Sequence, residues 1–385
     1  MSFGHFSEWR KLPVSLTELR ISTTLRCGQT FRSLFPKSST GLLTPQGTPS
    51  NDDGDDDTAA LIRHYFNLEP NLSDLYEKWA AVDSNFKKKA LQFTGIRILR
   101  QDAWEALVSF ICSSNNNIAR ISQMVEKLCI NYGPLIGHVN EQAYHDFPPP
   151  SALTGRGVEA RLRELGFGYR AKYIYQTAVM VANEHEQGWL DSLRNPERPA
   201  FGKVPDPVAQ MEEQDRPGYR EAHEKLLELQ GVGPKVADCV CLMGLGWSEA
   251  VPVDTHVWQI AQRDYKFGKG KQKSLTKATY DAIGDHFRRL WGKEAGWAHS
   301  VLFTADLKTF SDVRSAKVQL DETITKSSNG HIKEESDSEK PTKTKITARV
   351  TVKRELTADS YSTVASVTGQ VARETVTKRR RTRRR

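Results

Sequence analysis

Two glycines separated by one valine interrupt a helix-forming stretch in the second half of the 385-residue chain, and this feature constrains the fold most. Residues 219–230 are typical of a helix with leucines concentrated near its end. Gly231 and Gly233 break that helix, and Pro234 suits the first turn of a second one. The sequence therefore predicts helix, tight hairpin, helix. Amides exposed at the start of the second helix can bind a phosphate without reading base sequence, although a plain αα-hairpin explains the same residues.

Three polar residues follow this hairpin. Lys235 lies in the first turn of the second helix, where the helix dipole and burial disfavour an ammonium ion. A neutral lysine is a nucleophile, while a solvated lysine or a phosphate contact is the simpler interpretation. Cys239 shares a helix face with Lys235 and can equally be a small core residue. Asp254 precedes a predicted helix and suits an N-cap, and an ionised carboxylate there can also stabilise an oxocarbenium-like sugar.

The hairpin, Lys235 and Asp254 together resemble the helix-hairpin-helix DNA glycosylase superfamily, whose hallmark is this hairpin followed by a Gly/Pro-rich loop and an aspartate. Further motifs narrow the resemblance to the eukaryotic-type 8-oxoguanine DNA glycosylase/AP lyases. They are G-Q-T-F-R (28–32), F-I-C-S-S-N-N-N-I-A-R (110–120), L-G-F-G-Y-R-A-K-Y (165–173), A-Q-R-D-Y (261–265) and G-W-A-H-S-V-L-F-T-A-D-L (296–307). The resemblance covers about residues 7–308 and has one gap.

The resemblance implies a bifunctional base excision repair enzyme that acts on 8-oxoguanine paired with cytosine in duplex DNA. Lys235 would attack C1′, expel the base and form a Schiff base, after which β-elimination nicks the strand. Asp254 would stabilise the transition state. The damaged base would be flipped out of the duplex and held between Cys239 and Phe303. Gly28 would accept a hydrogen bond from N7–H, which 8-oxoguanine has and guanine lacks.

The resemblance also implies contacts with the DNA beside the lesion. The residues concerned are Asn115, Arg120, Tyr169, Arg170, Gly231, Gly233 and His256. Of these, Asn115, Arg120 and Arg170 would hold the orphaned cytosine through directional donors, and Tyr169 would wedge into the gap. From the residues alone, the asparagines could merely cap a helix that starts near Ile118, and Tyr169 with Arg170 could be a loop tip.

His299 departs from the family pattern, in which the matching position is commonly a glutamine that hydrogen-bonds the Watson–Crick edge of the base. An imidazole can donate or accept but makes fewer contacts than an amide. We therefore expect base recognition to persist with altered lesion selectivity.

The gap in the resemblance follows residues 28–32, where the family continues into an antiparallel sheet of several strands. In this chain only residues 33–60 separate that motif from the first predicted helices, and they are rich in Ser, Thr, Pro, Gly and Asp, which are typical of loops and not of alternating strands. The expected fold is mainly α, with a truncated N-terminal antiparallel β (α+β) portion and linker in residues 1–58. A helical helix-hairpin-helix glycosylase domain in 59–318 and a disordered basic tail in 319–385 follow. If the shortened sheet leaves the pocket unformed, the alternative function is DNA binding without catalysis; a related glycosylase with another lesion preference is a third.

Net charge is concentrated in the predicted tail. Residues 319–385 carry 16 Lys+Arg and 9 Asp+Glu, which accounts for +7 of the whole-chain +8. Its few aromatic residues make a packed core implausible. The last eight residues, K-R-R-R-T-R-R-R, indicate a nuclear localisation signal or a non-specific DNA-binding arm, with a solvated charge run as the simpler interpretation. We expect a nuclear protein, with the mitochondrion as a second compartment.

Cysteine usage and hydropathy exclude other classes. The five cysteines are scattered and include no C-x-x-C, so they suit a reducing compartment. They also lack the four-cysteine iron–sulfur signature of related endonuclease-type glycosylases, so no metal or cofactor is expected. No apolar run approaches transmembrane length, and the N-terminus lacks a signal-peptide core. The expected partner is double-stranded DNA containing oxidised guanine rather than a membrane, and the expected state is a monomer.

Overall fold

The computed structural model of the protein describes residues 12–32, 58–139, 141–203, 218–268 and 275–310. These ranges are mainly helical, which confirms the mainly α prediction. The helices are α1 Ile21–Thr24, α2 Thr58–Tyr65, α3 Leu72–Val82, α4 Ser84–Ala90, α5 Ala103–Ser113, α6 Ile118–Tyr132, α7 Val158–Glu164, α8 Arg170–Val179, α9 Trp189–Ser192, α10 Tyr219–Leu227, α11 Pro234–Met243, α12 Thr255–Tyr265, α13 Lys277–Trp291 and α14 Ala295–Asp306. Short 3-10 helices span Pro150–Leu153, Gly292–Glu294 and Lys308–Phe310, and one π-helical turn, Met180–Glu184, continues α8.

The predicted helix-hairpin-helix is present as α10 and α11. Helix α10 ends at Leu227, three residues before the predicted end, because the chain turns at residues 228–232. Gly233 is the N-cap of α11, and Pro234 occupies its first position, where the missing N–H of proline has no intrahelical partner to lose. The hairpin therefore has the residues that its geometry requires.

Helix α5 lies at the centre of the core. Nine of its eleven residues are buried, as expected of a helix that is apolar all round. It packs against α6 on one side and against α11 on another. Because of this packing, the last turn of α5 lies beside the first turn of α11, which carries Lys235.

A small antiparallel sheet follows α6 and was not predicted. Its strands are β1 Leu135–Val139 and β2 Gln142–His145, with His138 opposite Ala143 and an irregularity in the register after Leu135. Gly133 is needed where the hairpin leaves α6, since a Cβ there would lie 1.8 Å from the carbonyl oxygen of Asp146. No other strand occurs in the described residues.

Several predictions fall outside the described ranges. The basic tail in residues 319–385 and most of the loop-rich stretch after Arg32 are among them, so the predicted boundaries at residues 58 and 318 stay predictions. In the part of the chain that the structure describes, no helix combines the length and apolar character needed to cross a bilayer.

Candidate active site and DNA-binding face

One cleft contains every residue that the sequence predicts for catalysis and base binding. Its volume is about 420 Å³, which includes space open to solvent, and it lies where α5, α11, α14 and the N-terminal segment meet. The predicted residues in its wall are Gly28, Lys235, Cys239, Asp254, His299 and Phe303. The wall also contains Cys27, Gln29, Phe110, Met243, Pro252, Ser300 and Thr304. These seven were not predicted from the sequence, although most lie next to, or one helical turn from, a predicted residue.

Gly231 and Gly233 play different parts in the hairpin. Gly231 has φ +76°, and a Cβ there would lie 2.6 Å from the Tyr173 side chain, so both conformation and space require glycine. Gly233 has extended backbone, and nothing lies within 4 Å of a Cβ built on it. No side chain caps α11, and Gly233 and Lys235 at its start are partly exposed. Unsatisfied N–H groups at a helix start form an anion site.

Lys235 extends from the second position of α11 toward the end of α5. Its Nζ donates a hydrogen bond to Ser113 Oγ at 3.4 Å and lies 5.0 Å from the centroid of the Phe110 ring. Ser113 Oγ in turn donates to the Phe110 carbonyl at 2.7 Å. Among the described residues, no carboxylate oxygen lies within 4.0 Å of this amine. The amine is thus held in the cleft by weak contacts that a reacting group can replace.

Asp254 is the N-cap of α12, as the sequence predicts. Its Oδ1 accepts a hydrogen bond from the Val257 amide at 2.9 Å, which fixes the carboxylate at the positive end of the helix. The side chain still lines the cleft, so capping and a role in chemistry are compatible. His256, the second residue of α12, is exposed, and its ring makes an edge contact with the Phe303 ring at a centroid distance of 6.0 Å.

Two side chains in the wall of the cleft, Cys239 and His299, are uncharged at physiological pH. Burial raises the pKa of the Cys239 thiol to about 11, against the opposing effect of Lys235. Burial also lowers the pKa of His299 to about 4, against the opposing effect of Asp254. The imidazole is therefore uncharged, and neither of its ring nitrogens has a hydrogen-bond partner among the described residues. Its ring stacks on Phe303, with centroids 6.3 Å apart and planes 26° apart.

Gly28 reaches the cleft although no strand is described in the N-terminal segment. It has φ +83°, and a Cβ on it would contact Ile118 at 3.4 Å and Phe303 at 4.0 Å. The side chain of the next residue, Gln29, holds it in place. Gln29 Nε2 donates a hydrogen bond to the Arg97 carbonyl at 2.8 Å, and Gln29 Oε1 accepts one from the Leu99 N–H at 3.1 Å. These bonds imitate strand pairing by a side chain.

A buried arginine ties the start of the same segment to the helical core. The Arg97 side chain is 1% exposed and forms an ion pair with Glu18 at 2.6 Å. It also donates to the carbonyls of Glu18, Asn67 and Pro70. Glu18 accepts from the Leu72 and Ser73 amides at the start of α3. The segment that carries Gly28 is therefore fixed at two points, by the neutral hydrogen bonds of the Gln29 side chain and by the charge-assisted hydrogen bonds between Arg97 and Glu18.

The residues predicted for the opposite strand gather around two loops. Arg120 donates to the Gly166 carbonyl at 3.3 Å, and the Tyr169 hydroxyl donates to the Ser114 carbonyl at 3.1 Å. Asn115, with φ +48°, is exposed between α5 and α6. The suggested helix cap is its neighbour Asn117, which accepts from the Arg120 amide. Asn115 is thus free of the structural role that was its alternative.

Arg170 and Tyr169 differ in exposure. Tyr169 is 48% exposed, as a wedge must be, and its ring packs on Tyr173, which covers Gly231. Arg170 is 3% exposed and donates to the carbonyls of Ser114 and Asn115. In this structure its guanidinium supports the Asn115 loop rather than facing solvent. Tyr169 thus connects the Asn115 loop to the hairpin, through its hydrogen bond to Ser114 and its contact with Tyr173.

Two protein families match this chain. Residues 33–107 match the 8-oxoguanine DNA glycosylase N-terminal domain family, and residues 108–283 match the HhH-GPD superfamily of base excision DNA repair proteins. The first match includes residues 33–57, which lie outside the described ranges.

Two curated relatives and one solved structure extend the comparison. The chain is 38% identical over 340 residues to the N-glycosylase/DNA lyase of Saccharomyces cerevisiae, covering 77% of this chain and 86% of the yeast protein. It is 34% identical over 320 residues to N-glycosylase/DNA lyase OGG1 of Arabidopsis thaliana, covering 78% and 80%. The structure of the Clostridium acetobutylicum 8-oxoguanine glycosylase/lyase in complex with dsDNA containing cytosine opposite to 8-oxoG matches with a TM-score of 0.57 and 25% identity, covering 74% of this chain and 91% of that chain. The chain belongs to the N-glycosylase/DNA lyase family of 8-oxoguanine DNA glycosylases.

Proposed function

We propose that this protein removes 8-oxoguanine paired with cytosine from duplex DNA and then nicks the strand, with Lys235 as the nucleophile. The observation that carries the proposal is the meeting of one amine, one carboxylate, a neutral thiol and a neutral imidazole in one cleft. This cleft lies at the start of hairpin helix α11, which no side chain caps. The hairpin amides bind the phosphate backbone, and the cleft receives the flipped nucleotide.

The chemistry assigned to Lys235 requires its neutral amine. Nζ attacks C1′ as the C1′–N9 bond breaks, and the base leaves after gaining a proton. Opening of the C1′–O4′ bond and loss of a proton from nitrogen give the Schiff base. Removal of a C2′ proton then expels the 3′ phosphate, and water hydrolyses the imine to free the lysine. The Asp254 carboxylate, held by the Val257 amide, stabilises the positive charge that develops on the sugar.

Recognition of the damaged base is assigned to the walls of the cleft. Gly28 offers its carbonyl to N7–H, a donor that guanine lacks. Cys239 and Phe303 enclose the base from two sides. His299 supplies two unpartnered ring nitrogens, one donor and one acceptor in the neutral imidazole, to a polar edge of the base. Leaving them unpaired in a buried wall costs free energy, so a base with matching groups gains affinity.

The opposite strand is assigned to the surface beyond the cleft. Tyr169, exposed and packed on Tyr173, fills the space left by the flipped nucleotide. Asn115 and Arg120 contact the orphaned cytosine, and Arg170 supports the Asn115 backbone. The Clostridium acetobutylicum relative was solved in complex with dsDNA containing cytosine opposite to 8-oxoG, which supports this choice of substrate.

Single-turnover base release separates this function from its alternatives. Wild type, Lys235→Gln and the surface control Lys78→Gln are compared on matched duplexes with 8-oxoguanine or guanine opposite cytosine. We expect release and nicking only from the oxidised duplex, with loss in Lys235→Gln and full activity in Lys78→Gln. A wild-type protein that binds the oxidised duplex without releasing base would instead be a DNA-binding protein. Release of a different damaged base in preference would assign another lesion.

A further inference from the structure

A buried carboxylate lies one helical turn after Lys235 and takes no part in the chemistry above. Asp238 is 1% exposed. Its two oxygens accept hydrogen bonds from the hydroxyls of Tyr219 on α10 and Tyr280 on α13. His223 Nε2 lies 3.6 Å from the same carboxylate. Three helices therefore converge on this one group, which faces the core instead of the cleft.

The Tyr280 hydroxyl has a second contact that links this cluster to the cleft. It accepts a hydrogen bond from the Val253 amide at 3.4 Å, while it donates its own hydrogen bond to the Asp238 carboxylate. Val253 directly precedes Asp254 and is 1% exposed, so its N–H has no access to bulk water. A hydroxyl that donates to a carboxylate is a stronger acceptor for a second donor.

We infer that Asp238 and Tyr280 are positioning residues that hold the Asp254 backbone against the helix that carries Lys235. The connection runs from α11 through the Asp238 carboxylate and the Tyr280 hydroxyl to the Val253 amide. It sets the relative placement of the amine and the carboxylate, which come from separate elements of the chain. This inference rests on the proposed function for its effect on rate, because a small misplacement of reacting groups slows a reaction strongly.

Tyr219 supplies a matched control, because it donates to the same carboxylate but, among the described residues, has no hydrogen bond to Val253 or Asp254. Tyr280→Phe and Tyr219→Phe each remove one hydroxyl and one hydrogen bond to Asp238 and keep the ring. A purely structural cluster predicts similar effects of the two changes on the reaction. The positioning role predicts a difference.

Two readouts test the inference. In Tyr280→Phe without DNA, we expect amide exchange at Val253 to be about tenfold faster, and base release at saturating enzyme to be about tenfold slower, with duplex affinity within about twofold of wild type. Tyr219→Phe should match wild type in both rates, even where its thermal midpoint falls as far as that of Tyr280→Phe. Equal base-release rates in the two variants, or unchanged exchange at Val253 in Tyr280→Phe, would overturn the inference. If the wild-type protein did not act on the oxidised duplex, the proposed function would be wrong. The exchange measurement would still decide whether Tyr280 holds the Asp254 backbone.

Discussion

The two hairpin glycines offer a matched pair of substitutions with opposite expected effects. Gly231→Ala would place a side chain at φ +76° and put its Cβ 2.6 Å from both Cβ and Cγ of Tyr173. The left-handed conformation costs about 1–2 kcal/mol for a residue other than glycine, and overpacking against the base of a side chain about 1–3 kcal/mol. The loss of unfolded-state freedom returns about 0.5 kcal/mol. We therefore expect the free energy of unfolding to fall by about 2–4 kcal/mol.

Gly233→Ala should affect DNA binding instead of stability. Its backbone is extended and its Cβ would meet nothing within 4 Å. The weaker N-cap and the stiffer unfolded chain oppose each other, which leaves a change within about 0.5 kcal/mol. The new methyl group would stand beside the amides proposed to bind phosphate, so affinity for duplex DNA should fall.

Urea unfolding followed by circular dichroism gives the stability of both variants, with unchanged m-values as the condition for comparing them. Fluorescence anisotropy at one fixed salt concentration gives the DNA affinities. If Gly231→Ala and Gly233→Ala lowered the free energy of unfolding equally, the assignment of Gly231 as the strained, closely packed position would be refuted. Full DNA affinity in Gly233→Ala would refute the proposed phosphate contact.

Three other predictions concern the cleft, a partly buried carboxylate and the tail. His299→Gln should change the ratio of base-release rates between 8-oxoguanine and other oxidised purines, and an unchanged ratio would count against recognition by this side chain. Hydrogen bonds from Arg263, against the effect of burial and with help from Lys89, lower the pKa of Asp264 to about 2. Because the pKa of Asp264 is lower in the folded protein, its ionised carboxylate stabilises the folded state at pH values above the ordinary pKa of an aspartate. This stabilisation is lost as pH falls through about 2. Asp264→Asn should therefore cost about 1 kcal/mol at neutral pH, after allowing for solvent screening, and less as pH falls from about 4; a pH-independent difference in urea midpoints would contradict this. Deletion of residues 378–385 should weaken nuclear retention and should reduce the salt dependence of DNA binding. The prediction is wrong if both quantities stay the same.

Local patterns in the sequence were sufficient to predict the hairpin and the helix cap at Asp254, whereas the base-binding residues of the cleft were predicted through the family resemblance. Gly231 adopts a positive φ in the turn and Pro234 occupies the first position of a helix, and both preferences can be recognised from the neighbouring sequence. The cap at Asp254 depends on a residue only three positions away. The placement of Gly28 in the cleft was predicted only through the family resemblance. What holds it there, the Gln29 amide on residues 97–99, joins segments about 70 positions apart and has no local signal.

The features that were not predicted from the sequence either join residues far apart in the chain or lack a clear periodic pattern of apolar residues. The Asp238 cluster brings together hydroxyls from residues 219 and 280, and each of these tyrosines alone is an ordinary amphipathic helix residue. The strands β1 and β2 are short and half exposed, with an irregular register, so no clear alternation marks them. Arg170 matched a family motif, but its burial against the Ser114 carbonyl depends on how two loops pack together.

Borohydride trapping with peptide mapping tests the central claim most directly. The protein is incubated with duplex DNA carrying 8-oxoguanine opposite cytosine, reduced, digested and sequenced by mass spectrometry, with Lys78→Gln and Lys235→Gln alongside. The account predicts one covalent adduct, located on Lys235, formed by wild type and Lys78→Gln and absent with undamaged duplex. An adduct on another lysine, or undiminished trapping in Lys235→Gln, would contradict it.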